Sequence, residues 1–240
     1  MGYSHGDGAG GVSDDYVRDI FTRIATRYDL MNSLMTARQD HRWRREVIQR
    51  ASLPPHAFLL DIGAGTGDLA HEALRQHPDC HPLASDFTLA MMRVGKRRPR
   101  ASTPQDWAGA DALQLPFASN SFDAVVSGFL LRNIVDLMRG LGEQFRVLKP
   151  GGWVVALDST RPKHNLLYPF VHFYMHQIIP NLGWLVTRQR DAYTYLPDST
   201  EKFLRAEDLL IYLAAAGFRN VGFHRRLFGV IAIHWGQKPL

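Results

Sequence analysis

The chain has 240 residues, 45% hydrophobic and 21% charged, which is the composition of a folded globular protein and disfavours disorder, collagen and coiled coil. One cysteine, Cys80, excludes an intramolecular disulfide and a zinc site built from several thiolates, and points to a reducing, cytoplasmic compartment. The net charge of +5 is local: 38–50 carries +3 and 93–100 carries +5, so the remainder is net acidic by three. Two readings fit such clusters, solvated helix faces whose cations complement the helix dipole, or a surface for anionic lipid or an acidic partner.

Residues 1–12 hold five glycines without a core pattern and read as a disordered leader, with no apolar region of a signal peptide after them. Ser13 caps an amphipathic helix in which Val17, Ile20, Phe21, Ile24 and Tyr28 recur at helical spacing. A second helix over 42–51 stops ahead of Pro54-Pro55. From Ala57 onward, short apolar runs at 58–62, 82–85, 122–127 and 152–157 alternate with helical patterns at 69–77, 89–97 and 137–148. That alternation predicts a parallel sheet covered by helices on both faces. After Arg161 come a long helical insertion, a helix over 206–216, and strands at 221–225 and 228–234 spaced to pair as a hairpin. The stretch from Asn165 to Thr187 lacks Lys, Arg, Asp and Glu, but two prolines and several polar groups make a membrane span expensive. It suits either a lid over a lipid-like substrate or a segment packed on the sheet.

The sequence Asp61-Ile62-Gly63-Ala64-Gly65-Thr66-Gly67-Asp68 follows the first strand and opens the next helix. Glycines there let the backbone turn sharply and approach a ligand, while the helix start offers amide donors. The spacing is G-x-G-x-G, preceded by an aspartate, and departs from the G-x-G-x-x-G of dinucleotide sites. Asp86 ends the second strand, placed to accept from ribose hydroxyls. A cationic ribose-bearing ligand without a pyrophosphate suits these acids better than a dinucleotide.

At these residues the chain resembles the class I S-adenosylmethionine-dependent methyltransferases. Gly109-Ala110-Asp111-Ala112, Phe122-Asp123-Ala124-Val125 and Val147-Leu148-Lys149-Pro150-Gly151-Gly152 match further landmarks in the same order. The resemblance implies a Rossmann-like, mainly parallel seven-stranded α/β sheet with helices on both faces, an antiparallel C-terminal hairpin and an N-terminal helical cover. It assigns Asp61, Gly63, Gly65, Thr66 and Gly67 to the methionine end of the cofactor. Asp86 and Phe87 fall to the ribose side, Asp111 and Ala112 to the adenine, and Tyr28 to the fold of the cover over the cofactor.

Phe21 to Asn32, Leu131-Arg132-Asn133 and Tyr193 to Ser199 narrow the resemblance to the UbiE/COQ5 quinone-ring C-methyltransferases. That family implies methyl transfer to a ring carbon of demethylmenaquinol or a related polyprenyl benzoquinol. Arg132 is then expected to stabilise a phenolate, or else to form a structural ion pair. Asn133 is expected to orient a hydroxyl or water, and Tyr193, Tyr195 and Ser199 to line the substrate side. Leu130 stands where the family has glycine and is expected to narrow the pocket; the His-Arg stretch before Trp43 and the residue after Phe203 also depart from the pattern. Transfer to another phenolic acceptor, or a non-catalytic cofactor-binding subunit of a quinone-synthesis complex, are the competing readings. His172 and His176 lie four apart, but no carboxylate is near in sequence, so no metal is expected. Nucleic acid is not expected, because a base-flipping motif is lacking. Peripheral membrane contact and a homodimer stay open. The expected organisation is one domain over 13–240, divided into a helical cover (13–56), a cofactor-binding core (57–160), a lid insertion (161–205) and a C-terminal helix with strands (206–240).

Overall fold

The computed structural model describes residues 14–98, 105–163, 166–188 and 190–240, with the backbone alone at 14–17, 190–192 and 195. The leader, the Ser13 cap, Asn165, the Arg100 end of the second basic cluster and the Tyr195 side chain lie outside the described residues.

Among the described residues seven strands form one sheet in the order β3-β2-β1-β4-β5-β7-β6. These are β1 (Phe58–Ile62), β2 (His81–Asp86), β3 (Asp106–Gly109), β4 (Phe122–Gly128), β5 (Leu148–Ser159), β6 (Arg219–Arg226) and β7 (Ile231–Gln237). The first five are parallel, and β7 runs antiparallel to both β5 and β6. The period of two along each strand divides the core. Leu59, Ala124, Val126, Val155 and Leu157 face α3 (Asp40–Arg50) and α4 (Asp68–Gln76), while Leu60, Val125, Val154 and Ala156 face α6 (Leu137–Val147) and α10 (Ala206–Ala215). Burial on both faces explains why these strands read as continuous apolar runs.

A third cluster lies off the sheet. Ile20 and Ile24 of α1 (Asp14–Ile24) and Met31 of α2 (Tyr28–Met35) pack against Ile179 and Leu182 of α8 (Ile179–Thr187) and Tyr193 of α9 (Arg190–Lys202). The N-terminal helices and the insertion therefore form one cover, held by its own apolar contacts. The insertion begins with α7 (Tyr168–Phe173) and widens into a π-helical turn at Tyr174–Ile178. Pro180 explains the widening, because it has no N–H to return to the carbonyl of His176.

The structure departs from the expected elements at several points. The first helix breaks at a 3₁₀ turn, Ala25–Arg27, which buries Ala25 against α5 (Leu89–Lys96), so Tyr28 begins a separate helix. The C-terminal hairpin turns later than its apolar pattern suggests, because Leu227, Phe228 and Gly229 all have positive φ and delay β7 to Ile231. β3 carries no apolar alternation, being a four-residue edge strand with no fully buried residue, and is found only by its pairing with β2. The Lys149 to Gly152 turn is an interruption within β5, where the register against β4 slips between Phe122 and Ala124.

Candidate active site

The crevice at the carboxyl ends of β1, β2 and β4 is built on the glycine loop. Gly63, Gly65 and Gly67 have φ of +63°, +56° and +79°, a region L side chains rarely adopt. A Cβ on Gly67 would lie 2.2 Å from Gln105 Nε2 and 2.7 Å from the Trp107 ring, so β3, the weakest element in the sequence, is what closes the loop from behind. Gly67 also caps α4, turning the amide end of that helix toward the crevice.

Two buried acids organise the loop. Asp86 accepts from Gly65 N at 2.7 Å and Thr88 N at 2.6 Å, tying the loop to the start of α5, and burial raises its pKa. Asp61 accepts from Ala70 N at 3.1 Å through Oδ2, while its buried Oδ1 has no partner. Burial, with the Asp68 and Asp86 carboxylates nearby, pushes Asp61 up to about 8. An orphaned carboxylate oxygen in an acidic crevice suits a cationic ligand, whose charge would lower that pKa again.

The other assigned residues take distinct places. Thr66 donates to Asp29 Oδ1 at 2.8 Å, and Asp29 is ion-paired to Arg98, so the loop, α2 and the residues after α5 are joined. Arg44 bridges Asp40 and Asp68 from within α3. Each basic cluster therefore spends one arginine on this crevice. Phe87, the residue after Asp86, is exposed. Asp111 closes a local turn by accepting from Leu113 N at 2.8 Å, and Ala112 packs into the core under it.

Beside the crevice lies an apolar cavity of about 380 Å³ between the sheet ends and the cover. Its walls include Ile20, Ile24, Met35, Met175, Leu196 and Phe170, with few polar atoms among them. Tyr28 and Phe129 line both chambers and form the partition. Burial raises the Tyr28 pKa against the opposing pull of a hydrogen bond with Asn32 and the charge of Arg132, so the phenol stays protonated. Phe129 sits at φ +60°, held by its N–H to Leu157 O at 2.7 Å.

Arg132 lines the cavity and donates through Nη1 to Asp158 Oδ1 at 2.6 Å, with both side chains nearly fully buried. The ion pair weighed from the sequence is present, yet the guanidinium also reaches the cavity wall and its Nε is unpartnered. Asn133 donates to Phe129 O at 2.9 Å and holds the turn after β4; it is not among the cavity-lining residues. Tyr193 is buried in the cavity wall and burial raises its pKa. Ser199 donates to Leu196 O along its own helix, and its neighbour Thr200 lines the cavity instead, donating to Ser159 Oγ at 2.9 Å.

Leu130 does not narrow the cavity, contrary to expectation. It points at the glycine loop, where a Cβ on Gly63 would meet its Cδ1 at 2.8 Å. Ser159 and Thr200 were not singled out in the sequence, having no motif of their own, and Asn32, which ends the Phe21 to Asn32 segment, carried no assigned role; all three line the cavity. The missing carboxylate near His172 and His176 is supplied by Glu201, from another helix.

Residues 10–238 match the model of the ubiE/COQ5 methyltransferase family. The chain is 45% identical over 222 residues to a Desulfotalea psychrophila protein named ubiquinone/menaquinone biosynthesis C-methyltransferase UbiE, covering 92% of this chain and 90% of that one. It is 38% identical over 221 residues to the demethylmenaquinone methyltransferase of Thermus thermophilus, covering 92% of this chain and all of that one. Among solved structures, the [4+2]-cyclase SpnF superposes with a TM-score of 0.70 at 17% identity, covering 96% of this chain and 97% of that one. Human N-acetylserotonin methyltransferase, solved with SAM, gives 0.65 at 18% identity, covering 95% and 60%. At such identities the structural likeness speaks for the fold alone.

Proposed function

The chain belongs to the ubiE/COQ5 methyltransferase family, and from that premise we propose that it is an S-adenosylmethionine-dependent C-methyltransferase acting on the ring of a polyprenyl quinol. The observation that carries the reading is the shared wall of Tyr28 and Phe129, which sets an acidic, glycine-lined crevice directly against an apolar cavity.

The crevice fits the cofactor on its own chemistry: the buried Asp61 Oδ1 lacks a partner, and the loop glycines leave room where a Cβ would collide. Bound there, S-adenosylmethionine supplies an electrophilic sulfonium methyl and leaves as a neutral thioether. Asp61 would favour the cation, and Asp86, which already accepts from the Gly65 and Thr88 amides, would meet a ribose hydroxyl at the end of β2.

The reduced ring is required on chemical grounds. A hydroquinone can lose a phenolic proton and place negative charge on a ring carbon, whereas the oxidised quinone is electrophilic. That carbon forms the new bond to the methyl and gives up its hydrogen as a proton when the ring regains aromaticity. Arg132, a cation held by Asp158, would stabilise the phenolate across the cavity wall. The Tyr28 phenol would donate a hydrogen bond at the partition, and Asn133 would act indirectly, by holding Phe129 in place.

A membrane surface is the proposed source of the acceptor. Leu167, Phe170 and Phe228 are exposed and also line the cavity, so its mouth is rimmed with apolar side chains. No described helix is long and apolar enough to cross a membrane.

The test is incubation of the protein with methyl-labelled S-adenosylmethionine and chemically reduced demethylmenaquinol. Ring-attached label, located by mass spectrometry and absent with the oxidised quinone, is the expected result. No label in the ring across reduced naphthoquinols and benzoquinols would remove the proposal.

A further inference from the structure

On the outer face of the insertion, away from the methyl-transfer chambers, three ligand-type side chains converge. His172 on α7 and His176 in the π-helical turn stack with ring centroids 4.3 Å apart. Glu201, near the end of α9, lies between them, with its Oε1 3.3 Å from His172 Nδ1 and 2.9 Å from His176 Nε2. One ligand atom from each residue falls within 4.8 Å of the others. Tetrahedral ligands about 2.1 Å from a common ion stand roughly 3.4 Å apart, so small rotations of the side chains would bring all three onto one sphere.

We propose that His172, His176 and Glu201 bind a divalent transition-metal ion of the zinc class, with water completing the shell, and that the ion clasps the lid. Two imidazoles and a carboxylate select zinc, cobalt or nickel over calcium and magnesium, which prefer shells of oxygen alone. The arrangement needs both irregularities of the insertion. The π turn shifts the spacing of His176 along the helix, and α9 brings in a carboxylate 25 residues away in sequence. Glu201 is itself held from behind, since Arg161 Nε donates to its backbone carbonyl at 2.8 Å.

The site is coupled to the cavity through its neighbours in sequence. Val171, Tyr174 and Met175 line the cavity in between and beside the two histidines, and Thr200, adjacent to Glu201, lines it from α9. An ion bridging His172 and His176 to Glu201 therefore cross-links two walls of the cavity from outside and resists their separation. This holds whatever the methyl acceptor is.

The experiment uses tag-free protein stripped with chelator and titrated with Co²⁺, read by the visible bands of a four- or five-coordinate ion, then displaced with Zn²⁺. One equivalent bound at micromolar concentration or tighter is expected, weakened at least 100-fold in His176→Ala and in Glu201→Gln. The glutamine keeps the shape of the side chain, and S-adenosylmethionine binding by both variants verifies their fold. Zn²⁺ should also slow hydrogen exchange of 168–178 in the wild type and leave it unchanged in Glu201→Gln. No stoichiometric Co²⁺ uptake by the wild type, or uptake equal in Glu201→Gln, overturns the site. Uptake without altered exchange overturns the clasp.

Discussion

Asp61 carries an electrostatic cost in the free protein that a cationic ligand in the crevice would remove. Its pKa of about 8 lies above the ordinary carboxylate value near 4, so the folded chain holds a proton that the unfolded chain releases. Stability from this residue is therefore full at low pH and is lost as pH rises from about 4 through 8. Asp61→Asn removes the ionisable group, so its melting point in the absence of cofactor is expected to exceed that of the wild type at pH 8.5 by more than at pH 5. Cofactor affinity should move the other way. In the wild type it should strengthen as pH rises toward 8, and in Asp61→Asn it should fall at least about tenfold and lose that pH dependence, as read by calorimetric titration. A variant equal to wild type in both respects would show that the carboxylate does not meet the cation. Arg132 raises a different question, because removing it strands a buried carboxylate. Arg132→Ala is expected to lose about 3–5 kcal/mol of stability by leaving the buried Asp158 charge without its cation, held by backbone N–H donors alone. The double variant Arg132→Ala/Asp158→Ala should regain much of that in a denaturant melt while turnover stays down by roughly 10² or more, the scale of a lost oxyanion donor. Recovery of turnover along with stability would make the arginine purely structural.

Among the elements, what the sequence made visible was whatever repeats locally. Strands buried on both faces, the helices with one apolar stripe and the loop between Asp61 and Asp68 are all specified within a few neighbouring residues. The elements that were missed depend on distant partners. β3 has no buried residue of its own, yet Trp107 and Gln105 decide how tightly the glycine loop can close. The same logic separates Leu130, which packs on the loop, from the cavity it was expected to narrow, and it brings Thr200 rather than Ser199 to the cavity wall. Gly67→Ala tests the closure. Its new Cβ would overlap a side-chain nitrogen and an aromatic ring at a backbone φ of +79°, so the loop must shift. Cofactor affinity is expected to fall at least tenfold, with a stability loss of about 1–3 kcal/mol. Gly67→Ala/Gln105→Ala should recover only part of it, because the Trp107 ring remains. Unchanged cofactor binding would mean that the loop does not need the close approach.

Taken whole, the molecule distributes charge and apolar surface in a way that the net +5 conceals. Arg44 and Arg98 are committed to the acids of the crevice, and the Arg50 guanidinium lies 4.0 Å from the Trp235 ring centroid, so much of the basic excess is spent internally. The mouth of the cavity, by contrast, exposes Phe170 at 73% and Phe228 at 73%, and the neighbouring sequence adds Leu166 at 91% and Phe173 at 59%, large side chains costly to leave in water. If the acceptor arrives from a bilayer, these residues and not the arginines should carry the contact. Vesicle binding is then expected to persist at high salt and to need little anionic lipid, because apolar burial is not screened. Leu166→Ser/Phe173→Ser alters two exposed apolar residues of the insertion that do not line the cavity. Burying each is worth about 1.5–3 kcal/mol, so flotation with neutral vesicles should weaken by roughly 10² or more. Methylation of a short-tailed, water-soluble quinol should be unaffected. A wild type that floats only with anionic vesicles at low salt would return the contact to the basic clusters. A dimer in solution that dissociates in the double variant would assign the rim to a second copy of the chain.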